Sequence, residues 1–147
     1  MTKKKIRHYP RARYRRRRDA RALRAVSVRR HIDTYLKGWE LGDGLLSLSV
    51  TAPAFCYDDP NTGRIPRDEF VQFVEDFKRA AVEMGGAVDA HPFLQYSDVV
   101  IKDDERPAIV WCWWQAVGTE LQGCARVLVG DEGVLHEKIA YFSKLPD

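Results

Sequence analysis

The chain has little cysteine, only one acid in its first thirty residues and no long apolar run, and each shortage removes a class of protein. Three cysteines occur in 147 residues, Cys56, Cys112 and Cys124. All three fall in expected strands and none shows C-x-x-C spacing. That argues against a disulfide framework and a metal site, and predicts reduced thiols in a cytoplasmic protein. No apolar stretch approaches the roughly 20 residues that span a bilayer, and the basic N-terminus does not lead into the apolar segment of a signal peptide. There is no internal repeat, no glycine-rich phosphate loop and no Ser/His/Asp set. Neither a cofactor nor a metal is expected.

What is present is an ordinary globular composition with a sharp division of charge. Hydrophobic residues make up 45% of the chain, and six Phe, four Trp and six Tyr are enough to line a cavity. Residues 1–30 carry 14 Lys/Arg against Asp19 alone, a net +13, while residues 31–147 carry 10 Lys/Arg against 20 Asp/Glu, a net −10. The sequence therefore reads as a basic arm, residues 1–18, on an acidic domain, residues 19–147. The arm buries almost nothing and repels itself, so disorder is expected. Clustered Lys/Arg bind phosphates and release counterions, which makes nucleic acid or another polyanion one partner class. An incidental tail, a targeting peptide or an extension before a downstream start are the other readings. A membrane-surface helix is disfavoured, because residues 1–18 lack an apolar face.

From about Asp19 the pattern turns helical, with Leu23, Val26, Ile32, Tyr35, Leu36 and Trp39 forming an apolar stripe until Gly42-Asp43-Gly44 stops it. A short helix over 44–50 ends before Pro53. Ala54–Asp58 reads as a strand, Asp59-Pro60-Asn61-Thr62-Gly63 as a turn, and Pro66 to about Met84 as an amphipathic helix. Four strands follow at about 92–102, 107–117, 119–130 and 133–144, separated by hairpin-type turns. Helices first and a strand meander afterwards predict an α+β fold, a curved antiparallel sheet covered on its concave face by the N-terminal helices. In the strand P-A-I-V-W-C-W-W-Q-A, Val110, Cys112 and Trp114 point one way, and Ile109, Trp111 and Trp113 the other. Helices cover only one face, so Trp111 and Trp113 on the convex face predict a homodimer interface; a helix or the arm lying there is the alternative.

This order of elements, with Y-L-K-G-W-E-L-G-D, A-P-A-F-C-Y-D-D-P-N-T-G and the closing G-D-E-G-V-L-H-E-K-I-A-Y-F, resembles the nuclear-transport-factor-two-like superfamily. That group includes the SnoaL-like polyketide cyclases and the ketosteroid isomerases. The resemblance covers roughly residues 28–144 and implies a cone with an internal pocket for a small apolar molecule. In the isomerases an Asp base ends the first strand and precedes Pro, and a Tyr on the first helix and a protonated Asp on a later strand form the oxyanion hole. By the resemblance, the base falls on Asp59 and the Tyr on Tyr35. The third position falls on Ala125, a departure that removes one donor and weakens enolate stabilisation by a few kcal/mol.

Asp59 and Tyr35 are thus the candidate catalytic pair, suited to moving a proton alpha to a carbonyl in an isomerase, cyclase or lyase. The alternatives are that Asp59 caps turn amides and that Tyr35 is ordinary core. Asp58 reads as turn or surface. The expected pocket wall is Trp39, Val110, Cys112, Trp114, Ala125, His136, Lys138 and Phe142, the last three turned inward by the family alignment. Lys138 inside would pair with Asp59 or hold an anionic ligand, and at the rim it would only snorkel. His136 is either a proton carrier or a hydrogen-bonded strand residue, and His91 is a weaker loop candidate. A non-catalytic binding module and a polyanion adaptor remain the competing functions.

Overall fold

The computed structural model describes residues 11–87 and 92–142. The first helix, α1 (Arg11–Leu41), starts eight residues before the expected point. Residues 11–18 are therefore helical, and only the remaining ten residues of the arm, like His91, lie outside the described segments. Arginine is a good helix former, and no proline or glycine interrupts the chain between Arg11 and Lys37. Only the second half of α1 is seated on the body, through Val28, Ile32, Tyr35, Leu36 and Trp39. Leu23 and Val26, expected on the buried stripe, are 72% and 60% exposed; Leu23 borders an open groove against residues 103–108 and 129–135 rather than packed core.

Gly42, at φ 64°, ends α1, and Asp43 caps the short helix α2 (Gly44–Leu48) by accepting from the Leu46 N–H at 3.1 Å. The two helices cross closely at Gly38, where a Cβ would stand 2.0 Å from Ser47 Oγ. That hydroxyl instead donates to the Tyr35 carbonyl at 2.7 Å, fixing the turn of α1 that carries Tyr35.

The chain then enters β1 (Thr51–Asp59) and turns through Pro60-Asn61-Thr62 into a short edge strand, β2 (Gly63–Pro66), which the sequence reading had merged with the turn and the next helix. A 3₁₀ turn (Arg67–Glu69) leads to α3 (Phe70–Glu83), whose Phe70, Val74, Phe77 and Ala81 face the core. Strands β3 (Leu94–Lys102), β4 (Ala108–Ala116), β5 (Gln122–Gly130) and β6 (Gly133–Tyr141) form the expected antiparallel meander. The sheet order is β2-β1-β6-β5-β4-β3, and β1 runs parallel to β6.

Register breaks between Thr51 and Cys56, Ser97 and Val100, and Leu128 and Val129 bend the sheet, since a bulge adds a residue to one strand and increases local twist. The result is a cone, with a curved sheet around α1 and α3. Aromatic rings fill the enclosed side. Trp39 packs edge-on to Phe77 and Phe70 at centroid distances of 5.6 and 5.7 Å, and Tyr57 lies 4.9 Å from Phe73.

Candidate functional site

On β4 the inward and outward sets fall as expected. Val110, Cys112 and Trp114 are buried, whereas Trp111 and Trp113 are 51% and 48% exposed on the convex face. Ala125 is buried directly across from Cys112. Burial pushes the Cys112 thiol well above its ordinary range, leaving it a small apolar residue in effect.

On β6 the expected faces are reversed, and the cause is one residue. Leu128 pairs with His136 but Val129 pairs with Val134, so Leu135 is the extra residue of a bulge. Side chains alternate every residue along a strand, so one added residue exchanges the faces. Val134 before the bulge and Glu137 and Ile139 after it are buried. Lys138 and Phe142 are exposed, and His136 is half-buried on the outer side. These three do not belong to the pocket wall, and Phe142 instead stacks on Trp113 at 4.8 Å on the convex face.

The reversal brings in a group that the sequence reading missed. Glu137 is 1% exposed and accepts a hydrogen bond from the Tyr35 hydroxyl at 2.9 Å. Burial pushes its carboxyl up to about 8, against partial relief from the Tyr35 bond and the nearby Trp39 indole. Burial beside this acid also raises Tyr35 far above its ordinary range, so it remains a neutral donor. The Trp39 indole N–H meets no acceptor at hydrogen-bonding geometry among the described residues.

Glu137 lies on the wall of a small cavity inside the cone, together with Trp39, Tyr57, Phe77, Leu94, Tyr96, Trp114 and Ile139. Its volume of about 10 Å³ is that of a single water site. A larger molecule enters only if some of these rings swing aside. Of the expected wall, Trp39 and Trp114 line this space, while Val110, Cys112 and Ala125 lie on the inner face without bordering it.

Asp59 occupies a different place. One carboxylate oxygen accepts from the Asn61 and Thr62 N–H groups at 2.7 and 3.0 Å, and the other accepts from the Tyr141 hydroxyl at 2.5 Å. Asp59 is buried, but its bonds are those of a turn cap tied to β6. Tyr35 donates to Glu137 rather than approaching Asp59, and neither Tyr35 nor Asp59 borders the cavity. The expected Asp59–Tyr35 pair is therefore replaced by two separate pairs, Glu137 with Tyr35 and Asp59 with Tyr141.

Asp58 heads an ion-pair cluster on the outer face. Arg64 grips it with two hydrogen bonds of 3.1 and 3.2 Å, and His136 Nε2 stands 2.5 Å from its second oxygen. Arg126 Nη2 lies 3.4 Å from His136 Nδ1. Because arginine only donates, Nδ1 accepts and Nε2 carries the proton toward Asp58. These bonds lower the Asp58 carboxyl to about 2, the Arg64 bond contributing most. Cys56 Sγ, an Asp58 oxygen and a His136 nitrogen lie within 4.8 Å of one another, a set of metal-ligating type. Arg64 and Arg126 already supply the positive charge there, and a cation would have to displace both. No helix among the described residues is long and apolar enough to cross a membrane.

A mostly antiparallel sheet curled round N-terminal helices is the nuclear-transport-factor-two-like α+β cone. Comparison with solved structures shows the same fold. The chain superposes on a candidate polyketide cyclase from Xanthomonas campestris pv. campestris with a TM-score of 0.56 and 19% identity, over 79% of this chain and 90% of that one. A candidate ketosteroid isomerase from Kribbella flavida matches with a TM-score of 0.53 and 14% identity, over 82% of each chain. A cystatin-like protein of unknown function from Nostoc punctiforme matches with a TM-score of 0.59 and 12% identity, over 85% of this chain and 96% of that one. No family model matches the sequence, and no curated protein is similar to it.

Proposed function

We propose that the chain binds a small, largely apolar molecule inside the cone and that Glu137 transfers a proton to or from it. The observation that carries this reading is a fully buried carboxyl, raised to about 8, on the wall of an aromatic cavity. A carboxyl titrating near neutrality is suited to both halves of acid/base catalysis, since each protonation state is populated. Tyr35 orients it through the 2.9 Å bond, and the unsatisfied Trp39 N–H supplies a donor for a ligand oxygen. Rings of Tyr57, Phe77, Tyr96 and Trp114 provide an apolar lining. The reaction class this supports is proton transfer alpha to a carbonyl, as in an isomerase or an aldol-type cyclase, and the polyketide-cyclase and ketosteroid-isomerase neighbours favour the same class. A panel of cyclic ketones in deuterium oxide, followed by NMR, tests it. Exchange of an α-proton that is lost in Glu137→Gln and follows a group near pH 8 is the expected result. Exchange undiminished in that variant rejects Glu137 as the base.

A second inference concerns assembly. Trp111, Trp113 and Phe142 expose their rings on the convex face, and an interior strand carrying two half-exposed tryptophans favours an isologous dimer through that face. Sedimentation should give a dimer for the native chain and a monomer for Trp113→Glu; a native monomer at micromolar concentration rejects the interface.

A further inference from the structure

The protruding half of α1 belongs neither to the cavity nor to the convex face, and we propose that it docks in the major groove of duplex DNA. Between Arg13 and Arg24 the helix carries seven arginines and one acid, Asp19. Residues 13–23 are all exposed. None of the arginines from Arg13 to Arg24 forms an ion pair among the described residues; the first pair on this helix is Arg29–Asp33. Like charges three and four residues apart destabilise a helix, so this segment is held in a conformation that an external polyanion would relieve.

The arrangement of the charges selects among polyanions. At about 100° per residue, the four consecutive residues Arg15, Arg16, Arg17 and Arg18 point to four different sides of the cylinder. A flat anionic membrane would meet only one side, and this segment has no apolar face to insert. A groove with phosphates on both walls meets several sides at once. The B-DNA major groove, about 12 Å wide, admits an α-helix, whereas the A-form RNA major groove is too narrow for one. Ala20, Leu23 and Arg24 border a groove against the body, so the free length is the nine residues from Arg11 to Asp19, which at about 1.5 Å each extend about 14 Å, close to four base pairs. Arginine's planar fork also suits bidentate contact with phosphate oxygens. Residues 31–147, net −10, would be repelled by DNA, so contact should be confined to the basic N-terminal part of the chain. The contacts are to phosphates, so binding should be largely independent of base sequence.

The test is fluorescence anisotropy of the full chain with duplex DNA, duplex RNA and single-stranded DNA of equal length, alongside flotation with phosphatidylserine vesicles, over a range of salt. Duplex DNA should bind most tightly, with the affinity falling linearly in log salt. The quadruple variant R15Q/R16Q/R17Q/R18Q should flatten that slope by about 3 to 4, at roughly 0.9 per phosphate contact. Glutamine keeps helix propensity, and these side chains touch no core residue, so the variant should melt like the native chain. The matching quadruple lysine variant should keep the slope, because charge rather than packing sets it. Equal or tighter binding to duplex RNA, single strands or vesicles overturns the proposal. So does a slope unchanged in the glutamine variant, or no duplex binding at low salt.

Discussion

Replacing Glu137 by glutamine gives a test of the buried acid that needs no substrate. The unfolded chain releases this proton near the ordinary value of 4.5, while the folded chain holds it to about 8. Between those values the folded state binds more protons, so its stability falls as pH rises. The contribution is fully present below the unfolded value, declines through the window and is gone above the folded one. Each unit of separation corresponds to about 1.4 kcal/mol, and the whole window therefore to about 5 kcal/mol. Glutamine is uncharged at every pH and keeps a carbonyl that can accept from Tyr35. Urea unfolding followed by tryptophan fluorescence at several pH values gives the stability of both proteins. Subtracting the variant's curve from the native one cancels the other titrating groups. The difference should move against the native chain by about 3 kcal/mol from pH 5.5 to 7.5, a large part of a domain's typical 5–15 kcal/mol. A difference that stays flat with pH would refute the buried, proton-retaining state of Glu137.

Three further predictions rest on separate contacts. Gly38→Ala should lower stability by about 1–3 kcal/mol, because its Cβ would stand 2.0 Å from Ser47 Oγ and 2.5 Å from the Ser47 nitrogen; calorimetry would read this as a lower Tm. Tyr141→Phe leaves Asp59 with its turn amides but without the hydroxyl bonded at 2.5 Å, and denaturant unfolding should show a loss of about 1–3 kcal/mol. The Asp58 carboxyl, lowered to about 2, should stay ionised in a carbon-13 NMR titration until well below the ordinary Asp range. Its stabilisation is present above that range and is lost as pH falls through about 2. Arg64→Gln should return the midpoint toward the ordinary value further than His136→Ala does.

The elements that were legible in the sequence are those whose periodicity runs unbroken. The Val110–Trp114 alternation assigned both faces of β4 correctly, including the outward Trp111 and Trp113, because no bulge falls inside its pairing with β5. The apolar spacing of Ile32, Tyr35, Leu36 and Trp39 located the seated half of α1 for the same reason. What escaped was decided by geometry between elements. The arginine run looked disordered because its charges repel, yet helix propensity with no Gly or Pro carries α1 back to Arg11. Tyr35 was expected to donate to a ligand oxygen beside Asp59, but its hydroxyl donates to a carboxyl 102 positions away, a contact that depends on the bulge at Leu135. Nothing in G-V-L-H-E-K-I-A-Y marks Leu135 as the extra residue, and the family resemblance alone turned His136 and Lys138 inside. The lone acid in that run was the available signal: an ionisable residue between expected inward neighbours, whose face changes if the strand holds one irregularity.

That irregularity also makes the interior a matter of counting. With Leu135 left out of the pairing, the chamber receives a carboxylic acid, while an imidazole and an ammonium face outward, where the imidazole joins the Asp58 and Arg126 network. Were Leu135 instead taken into the ladder opposite Leu128, with every side chain unchanged, His136 would fall opposite the inward Val127 and Lys138 opposite the inward Ala125, and the chamber would become basic. A lineage carrying this fold could thus exchange an acidic interior for a cationic one by a one-residue slip in pairing, a change that comparing residue types position by position would not register.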